Sequence, residues 1–317
     1  MNQTIATLSK DFNIHDIESA AVQVLVETNN ISVSKNKLVL EILDKNTNNI
    51  DNIKPILKNK FPRLSLCELG KIFELLIPQE DRKINGAFFT PTFITEYITD
   101  ELITSKNQTV CDPSCGCGAF LIAAIKVLNK KFNKGIADII SNNIYGIDTL
   151  EYCVRRCKII LSLLALMNNE DKETFTLNIY QADSLNMDWN RQFPAVMNKG
   201  GFDVVIGNPP YVKYQDLPDK LRKEQYNNWA TLKTGTYNLY FAFFELGIKI
   251  MKKDAHLGYI TPNNYFTSLA GIHLREFLQV NRYIRKIIDF NHLRLFDAQT
   301  YTCITFLSKT KNEYFLF

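Results

Sequence analysis

Asn208-Pro209-Pro210-Tyr211 is the stretch of this chain best suited to do chemistry, and it is entered from the apolar run Phe202-Asp203-Val204-Val205-Ile206 through Gly207. Two consecutive prolines lock φ and remove two backbone donors, so the chain must leave a buried strand as a stiff, extended loop. That loop holds an amide side chain and an aromatic ring in a set relation. A planar group bearing an NH2 fits such a pair. The amide oxygen and nearby carbonyls accept from the nitrogen, and the ring stacks on the face. The plainer reading is a strand-ending turn with a packed tyrosine, which asks nothing of Asn208.

Three acidic positions accompany it. Val110-Cys111-Asp112 runs into Pro113-Ser114-Cys115-Gly116-Cys117-Gly118 and then into an apolar segment over residues 119–128, a strand, a turn and a helix. Glycines there let the backbone pass close to a ligand, and the helix start offers free amides. The dinucleotide fingerprint G-x-G-x-x-G is absent, and the glycine spacing alone describes a plain turn equally well. Asp148 closes a second strand over 144–148, and Asp183 closes a third over 176–182. Both sit at carboxyl edges, where an open α/β sheet binds its ligand. A carboxylate at the second edge can accept from both hydroxyls of a ribose, and one at the third can accept from an adenine amino group. Each aspartate alone is more often a cap or turn residue. Three in succession, with Asn-Pro-Pro-Tyr on the fourth strand, describe one site.

The elements that must position these residues alternate as strand and helix from Gln108 onward, the pattern of a doubly wound α/β sheet. Helices are expected over 119–128, 150–166, 238–251 and 271–279, with further strands over 257–261, 284–290 and 302–308. The polar segment from Val212 to Thr236 is longer than a compact domain usually carries without a use. Residues 1–85 read as a helical N-terminal extension, with apolar spacing over 17–26, 38–43 and 64–77 and a polar interruption over 46–52. No chemical constellation lies there, and a small helical cap or docking element is the expected role. Gly86-Ala87-Phe88-Phe89-Thr90-Pro91 breaks the helical pattern, and Pro91 or Thr92 can start the next helix.

Composition sets the outer bounds. An apolar fraction of 46% over 317 residues is ample for a core, and a net charge of +4 permits nucleic-acid binding without arguing for it. Seven cysteines, an odd number, without a signal peptide point to a reducing cytosol and no disulfide framework. No apolar run approaches a membrane span. Cys115 and Cys117 with Cys153 and Cys157 lack zinc-site spacing and have no histidine beside them, so no metal is assigned.

Taken together, these motifs resemble the S-adenosylmethionine-dependent DNA amino-methyltransferases, in particular the N6-adenine group whose cofactor motifs precede the catalytic one. The chain looks most similar to the methyltransferase portions of single-chain restriction-modification enzymes of the Eco57I and TaqI kind. The Gly86-to-Pro91 element is similar to an upstream Gly-x-Phe-Tyr-Thr-Pro, with Phe89 in place of Tyr. Gly235-Thr236-Tyr237-Asn238-Leu239-Tyr240 resembles a family helix start.

The resemblance implies a Rossmann-like methyltransferase fold, a mostly parallel seven-stranded sheet with an antiparallel last strand, in a catalytic domain over residues 86–317. It implies S-adenosylmethionine as cofactor, held by Thr90, Asp112, Pro113, Ser114, Cys115, Gly116, Gly118, Asp148, Asp183 and Asn208. Catalysis would rest on Asn208, Pro209, Pro210 and Tyr211, with Tyr211 and Phe296 against a flipped adenine. Double-stranded DNA is the implied partner, in the cytoplasm of a bacterium, with target recognition left to another subunit or to a further C-terminal domain. Related chemistry on a glutamine amide or an RNA base, and a non-catalytic subunit that binds cofactor or DNA only, are the competing readings.

Overall fold

The computed structural model describes residues 1–85, 90–217, 228–233, 237–291, 293, 295 and 301–317. Its centre is a seven-stranded sheet in the order β3-β2-β1-β4-β5-β7-β6. The strands are β1 Val110–Asp112, β2 Ile144–Asp148, β3 Asn178–Gln181, β4 Phe202–Gly207, β5 Met251–Pro262, β6 Ile284–Asp289 and β7 Thr302–Ser308. β1 to β5 run parallel, and β7 is inserted antiparallel between β5 and β6. The chain winds outward from β1 through β2 to β3 and then crosses back to β4. The crevice at the carboxyl ends of β1 and β4 is therefore the topological switch point, where such sheets bind ligands.

Side-chain alternation sorts the strands between two apolar layers. Val110, Ile144, Val204, Ile206, Ile260 and Ile304 face one core, while Cys111, Ile147, Val205, Leu257, Tyr259 and Cys303 face the other. Phe202 breaks the parity of β4, because the β4–β5 register shifts between Phe202 and Val204. A bulge of this kind flips the side chains on one side of it to the opposite face.

The first face is covered by the helices α1 Asn2–Asp11, α2 Ile14–Thr28, α3 Lys37–Leu43, α4 Asn48–Lys60 and α5 Leu66–Leu75 and, after the short α6 Gln79–Asn85, by α7 Thr92–Leu102, α8 Ala119–Phe132, α9 Ile136–Asn142 and α10 Glu151–Met167. The second carries α11 Trp189–Gln192, α12 Pro194–Met197, α13 Tyr240–Ile250 and α14 Ile272–Val280. None of the helices among the described residues is long and apolar enough to cross a membrane.

Three expectations change. The polar stretch over 46–52 is a helix start: Thr47 caps the Ile50 amide, and Ile50, Ile53 and Leu57 bury one stripe of α4. Asparagines in a first turn look like a loop because their side chains compete with the backbone elsewhere. β5 begins at Met251, six residues before the expected Leu257, because polar Lys252 to Asp254 lie where the strand is partly exposed. β3 ends at Gln181, so Asp183 lies in the turn beyond the strand.

The N-terminal helices share a core with the sheet, and one buried ion pair pins them. Arg156 on α10 is 2% exposed and Glu18 on α2 is 4% exposed. Arg156 Nε donates to Glu18 Oε1 at 2.6 Å, and Arg155 Nη1 reaches Glu18 Oε2 at 3.1 Å. Arg156 Nη1 donates to the Phe73 carbonyl on α5 at 2.9 Å, and its guanidinium lies 4.8 Å from the Tyr152 ring centroid. Removing the acid would strand a buried cation. Glu18→Ala is expected to cost about 3–5 kcal/mol, read by urea unfolding; a loss below about 1 kcal/mol would show that the pair does not tie the layers together.

Candidate active site

β1 is short, and its last residue turns inward. Asp112 is 1% exposed, and its Oδ1 accepts from the Ser114 amide at 3.0 Å. Burial pushes its carboxyl up to about 8; the Ser114 bonds oppose this, and the nearby Asp148 charge adds to it. β4 approaches so closely that a Cβ on Gly207 would lie 2.7 Å from Asp112 Oδ1. Glycine thus leaves room for the Asp112 carboxyl between the two strand ends, and Asn208 follows directly from it.

Asn208 is half-buried, and its amide nitrogen donates to Thr90 Oγ1 at 3.1 Å. Thr90 itself is buried, immediately ahead of α7. The upstream element and the Asn-Pro-Pro-Tyr loop therefore meet, although 118 positions separate them. Pro209 is buried and Pro210 half-buried. Tyr211 is half-buried, its hydroxyl donates to the Ile260 carbonyl at 3.3 Å, and its ring meets Tyr240 edge-on at 6.2 Å. Burial pushes its phenol well above the ordinary tyrosine range, so it stays neutral.

The turn after β1 forms a cradle. Gly116 and Gly118 take φ of +52° and +93°, values open to glycine and costly for other residues. A Cβ added at Gly116 would meet nothing within 4 Å, whereas one at Gly118 would lie 2.8 Å from Cys157 Sγ. The space above Gly116 is open, and Gly118 seats the turn on α10. The first turn of α8 has no side-chain cap, which leaves its amides directed toward the cradle.

Asp148, half-buried, accepts from the Gly116 amide at 2.9 Å and the Leu150 amide at 2.9 Å. Burial raises its carboxyl, and the backbone amides counter that. Asp183 accepts from the Leu185 amide at 2.9 Å and from Asn186 Nδ2 at 2.6 Å. A carboxylate offers about four lone-pair sites, so each of these still has acceptor capacity. Ser184 Oγ donates to the Pro113 carbonyl at 2.6 Å and ties the β3 turn to the β1 turn. Cys115 and Cys117 are buried against α10, and hydrogen bonding to Cys157 and Cys153 respectively, with burial, pushes both thiols well above the ordinary range.

The structure thus gathers Thr90, Asp112 to Gly118, Asp148, Asp183 and Asn208 to Tyr211 around one carboxyl edge. Phe296, residues 86–89, and Gly235 with Thr236 lie outside the described residues. Sequence reasoning missed the loop closure beyond Tyr211. Lys213 bridges to Asn238, and the Leu239 amide donates to the Val212 carbonyl at 2.8 Å, so the two ends of the long segment are clasped. Nothing local in those residues signals a pairing across that distance.

Residues 142–296 match the family model of the Eco57I restriction-modification methylases. The Escherichia coli type II restriction enzyme and methyltransferase RM.Eco57I is 28% identical over 309 residues, covering 80% of this chain and 31% of the relative. The type I restriction enzyme MpnII methylase subunit of Mycoplasma pneumoniae is 30% identical over 210 residues, covering 64% of this chain and 34% of the relative. The chain therefore spans about a third of either relative's length. A crystal structure of a Listeria monocytogenes protein assigned to the class I S-adenosylmethionine-dependent methyltransferases superposes with a TM-score of 0.60 at 19% identity, over 95% of this chain and 91% of that one. The fold is that of the class I methyltransferases, and the resemblance to restriction-modification methylases is borne out.

Asp112 supplies a pH test of this geometry. An aspartate in an unfolded chain titrates at about 3.9, while burial holds this one at about 8. Between those values the native state keeps a proton that the unfolded state has lost, so this group's contribution to stability falls as pH rises. The stability of Asp112→Asn relative to the parent, from urea unfolding, should rise by at least about 1.4 kcal/mol between about pH 5 and pH 9. A flat difference would place the carboxyl in water.

Proposed function

We propose that this chain transfers a methyl group from S-adenosylmethionine to N6 of an adenine extruded from double-stranded DNA. The setting would be a bacterial, cytoplasmic restriction-modification or related defence system. The observation that supports this best is Asn208, brought by Gly207 to the switch point beside Asp112 and held there by Thr90.

The cradle fits such a cofactor. Open space over Gly116, uncapped α8 amides and the remaining acceptor sites of Asp148 and Asp183 suit an amino-acid carboxylate, a ribose diol and an adenine amine respectively. S-adenosylmethionine, when bound, supplies an electrophilic methyl group on a sulfonium.

The protein's part is to place the acceptor. An adenine inside a duplex cannot present its amino group to a buried site, so it must flip out. Thr90 fixes the amide plane of Asn208 by accepting from its nitrogen, which directs the amide oxygen to the acceptor role. Asn208 Oδ1 and the Pro209 carbonyl would accept from the two N6 hydrogens and draw the nitrogen lone pair out of the ring system. Tyr211 would stack on the base, with its hydroxyl anchored on Ile260. The α8 amides, Asp148 and Asp183 would hold the methyl donor so that its methyl group lies in line with that lone pair. Transfer would leave a neutral thioether, and the surplus proton on nitrogen would pass to bulk water once the base leaves the site. Orientation and loss of the sulfonium charge in a dry site supply the acceleration.

The test is transfer of labelled methyl groups to unmethylated DNA, with and without partner proteins, followed by identification of the modified nucleoside. Label on adenine N6 is expected; label on cytosine, RNA or protein would contradict the proposal. Asn208→Ala should lower transfer by at least about 100-fold, beyond any loss of cofactor affinity. Tyr211→Ala should lower it by about 5- to 150-fold, the worth of one stacking contact. Full transfer by Asn208→Ala would remove that residue from catalysis.

A further inference from the structure

Glu74 has no part in the account above, yet its surroundings are costly for a carboxyl group. It lies on α5, in the N-terminal helical layer, with Oε2 sealed from solvent and without a hydrogen-bond partner among the described residues. Burial pushes its carboxyl up to about 7 against the opposing charges of Arg82 and Lys71. Arg82 does not satisfy it: its Nη2 donates to the backbone carbonyls of Glu74 and Leu75 at 3.0 and 2.6 Å. A buried acceptor left without a donor costs about 1–3 kcal/mol, more when charged.

Glu74 borders a cavity of about 40 Å³ between α5, α7 and α8. That volume suits one small polar group rather than a ring. Thr90, Cys117 and Ala119 line the same cavity, so it opens on the catalytic amide's anchor, the cradle and the first residue of α8. One wall thus carries a carboxyl group with one oxygen that has no donor among the described residues. The other carries a hydroxyl and the uncapped amides of a 14-residue helix. A site with an acid on one side and helix-start amides on the other is complementary to an α-amino acid, ammonium toward the acid and carboxylate toward the amides.

We propose that Glu74 binds the ammonium group of the methyl donor's amino-acid arm, so that the N-terminal helical layer supplies part of the cofactor site. This rests on the methyl-donor reading above. It accounts for a sealed carboxyl oxygen that finds no donor among the described residues, and it gives the N-terminal layer a role in binding.

Isothermal titration of the full chain tests it with three ligands: S-adenosylmethionine, 5′-methylthioadenosine, which lacks the amino-acid arm, and the analogue lacking only the α-amino group. Glu74→Gln should weaken S-adenosylmethionine about 10- to 100-fold, the range of one charge-assisted hydrogen bond. It should leave methylthioadenosine within about twofold, and the desamino analogue should bind parent and variant alike. Glu74→Asp, with the charge on a shorter stem, should show an intermediate loss. S-adenosylmethionine binding unchanged in Glu74→Gln, or an equal loss for methylthioadenosine, would overturn the proposal. A parent chain that bound none of the three ligands would instead overturn the methyl-donor reading on which it rests.

Discussion

The side chain that residue 207 lacks is the constraint on which this site depends. A Cβ there would press to 2.7 Å from Asp112 Oδ1, so any other residue would push the Asp112 carboxyl out of its place at the carboxyl ends of β1 and β4. Those are the strands on either side of the topological switch point. Their closeness puts the cradle of one strand against the Asn-Pro-Pro-Tyr loop of the next. The two prolines then carry the chain away as a stiff loop, which keeps Asn208 from relaxing into a turn.

Around that contact, electrostatics and burial are arranged for a charged ligand. Asp112 and Asp148 both carry carboxyls raised by burial, so neither is at ease as an anion in the bare protein. A cation brought beside them would favour their charged forms. The aromatic floor works in the opposite sense. Tyr211, Tyr240 and Tyr259 are pushed upward by burial and remain neutral, giving an apolar platform next to an acidic cradle.

Much of this was legible in sequence, because strand ends announce themselves locally. The apolar runs ending in Asp112 and Asp148 coincide with the ends of β1 and β2, the run ending in Ile206 stops one residue short of the end of β4, and β7 has the expected bounds Thr302–Ser308. Asp183 was placed on the right edge although β3 stops short of it, since its cap bonds to Leu185 and Asn186 continue the turn. What could not be read depends on distant partners. The start of β5 is set by pairing of Met251 with Phe202. The burial of Glu74 and the Glu18–Arg156 pair depend on helices that meet only in the folded state. An isolated acid on a helix looks like surface until the opposite wall is known.

The central claim is that one edge of the sheet holds the methyl donor with its reactive end at Asn208. A crystal structure with sinefungin, whose amine stands where the sulfonium carries its methyl, tests this most directly. The account predicts that amine within hydrogen-bond reach of Asn208, the ribose on Asp148 and the adenine beside Asp183. Sinefungin bound with its adenine at Asn208, or bound away from the carboxyl edge of β1 and β4, would contradict it.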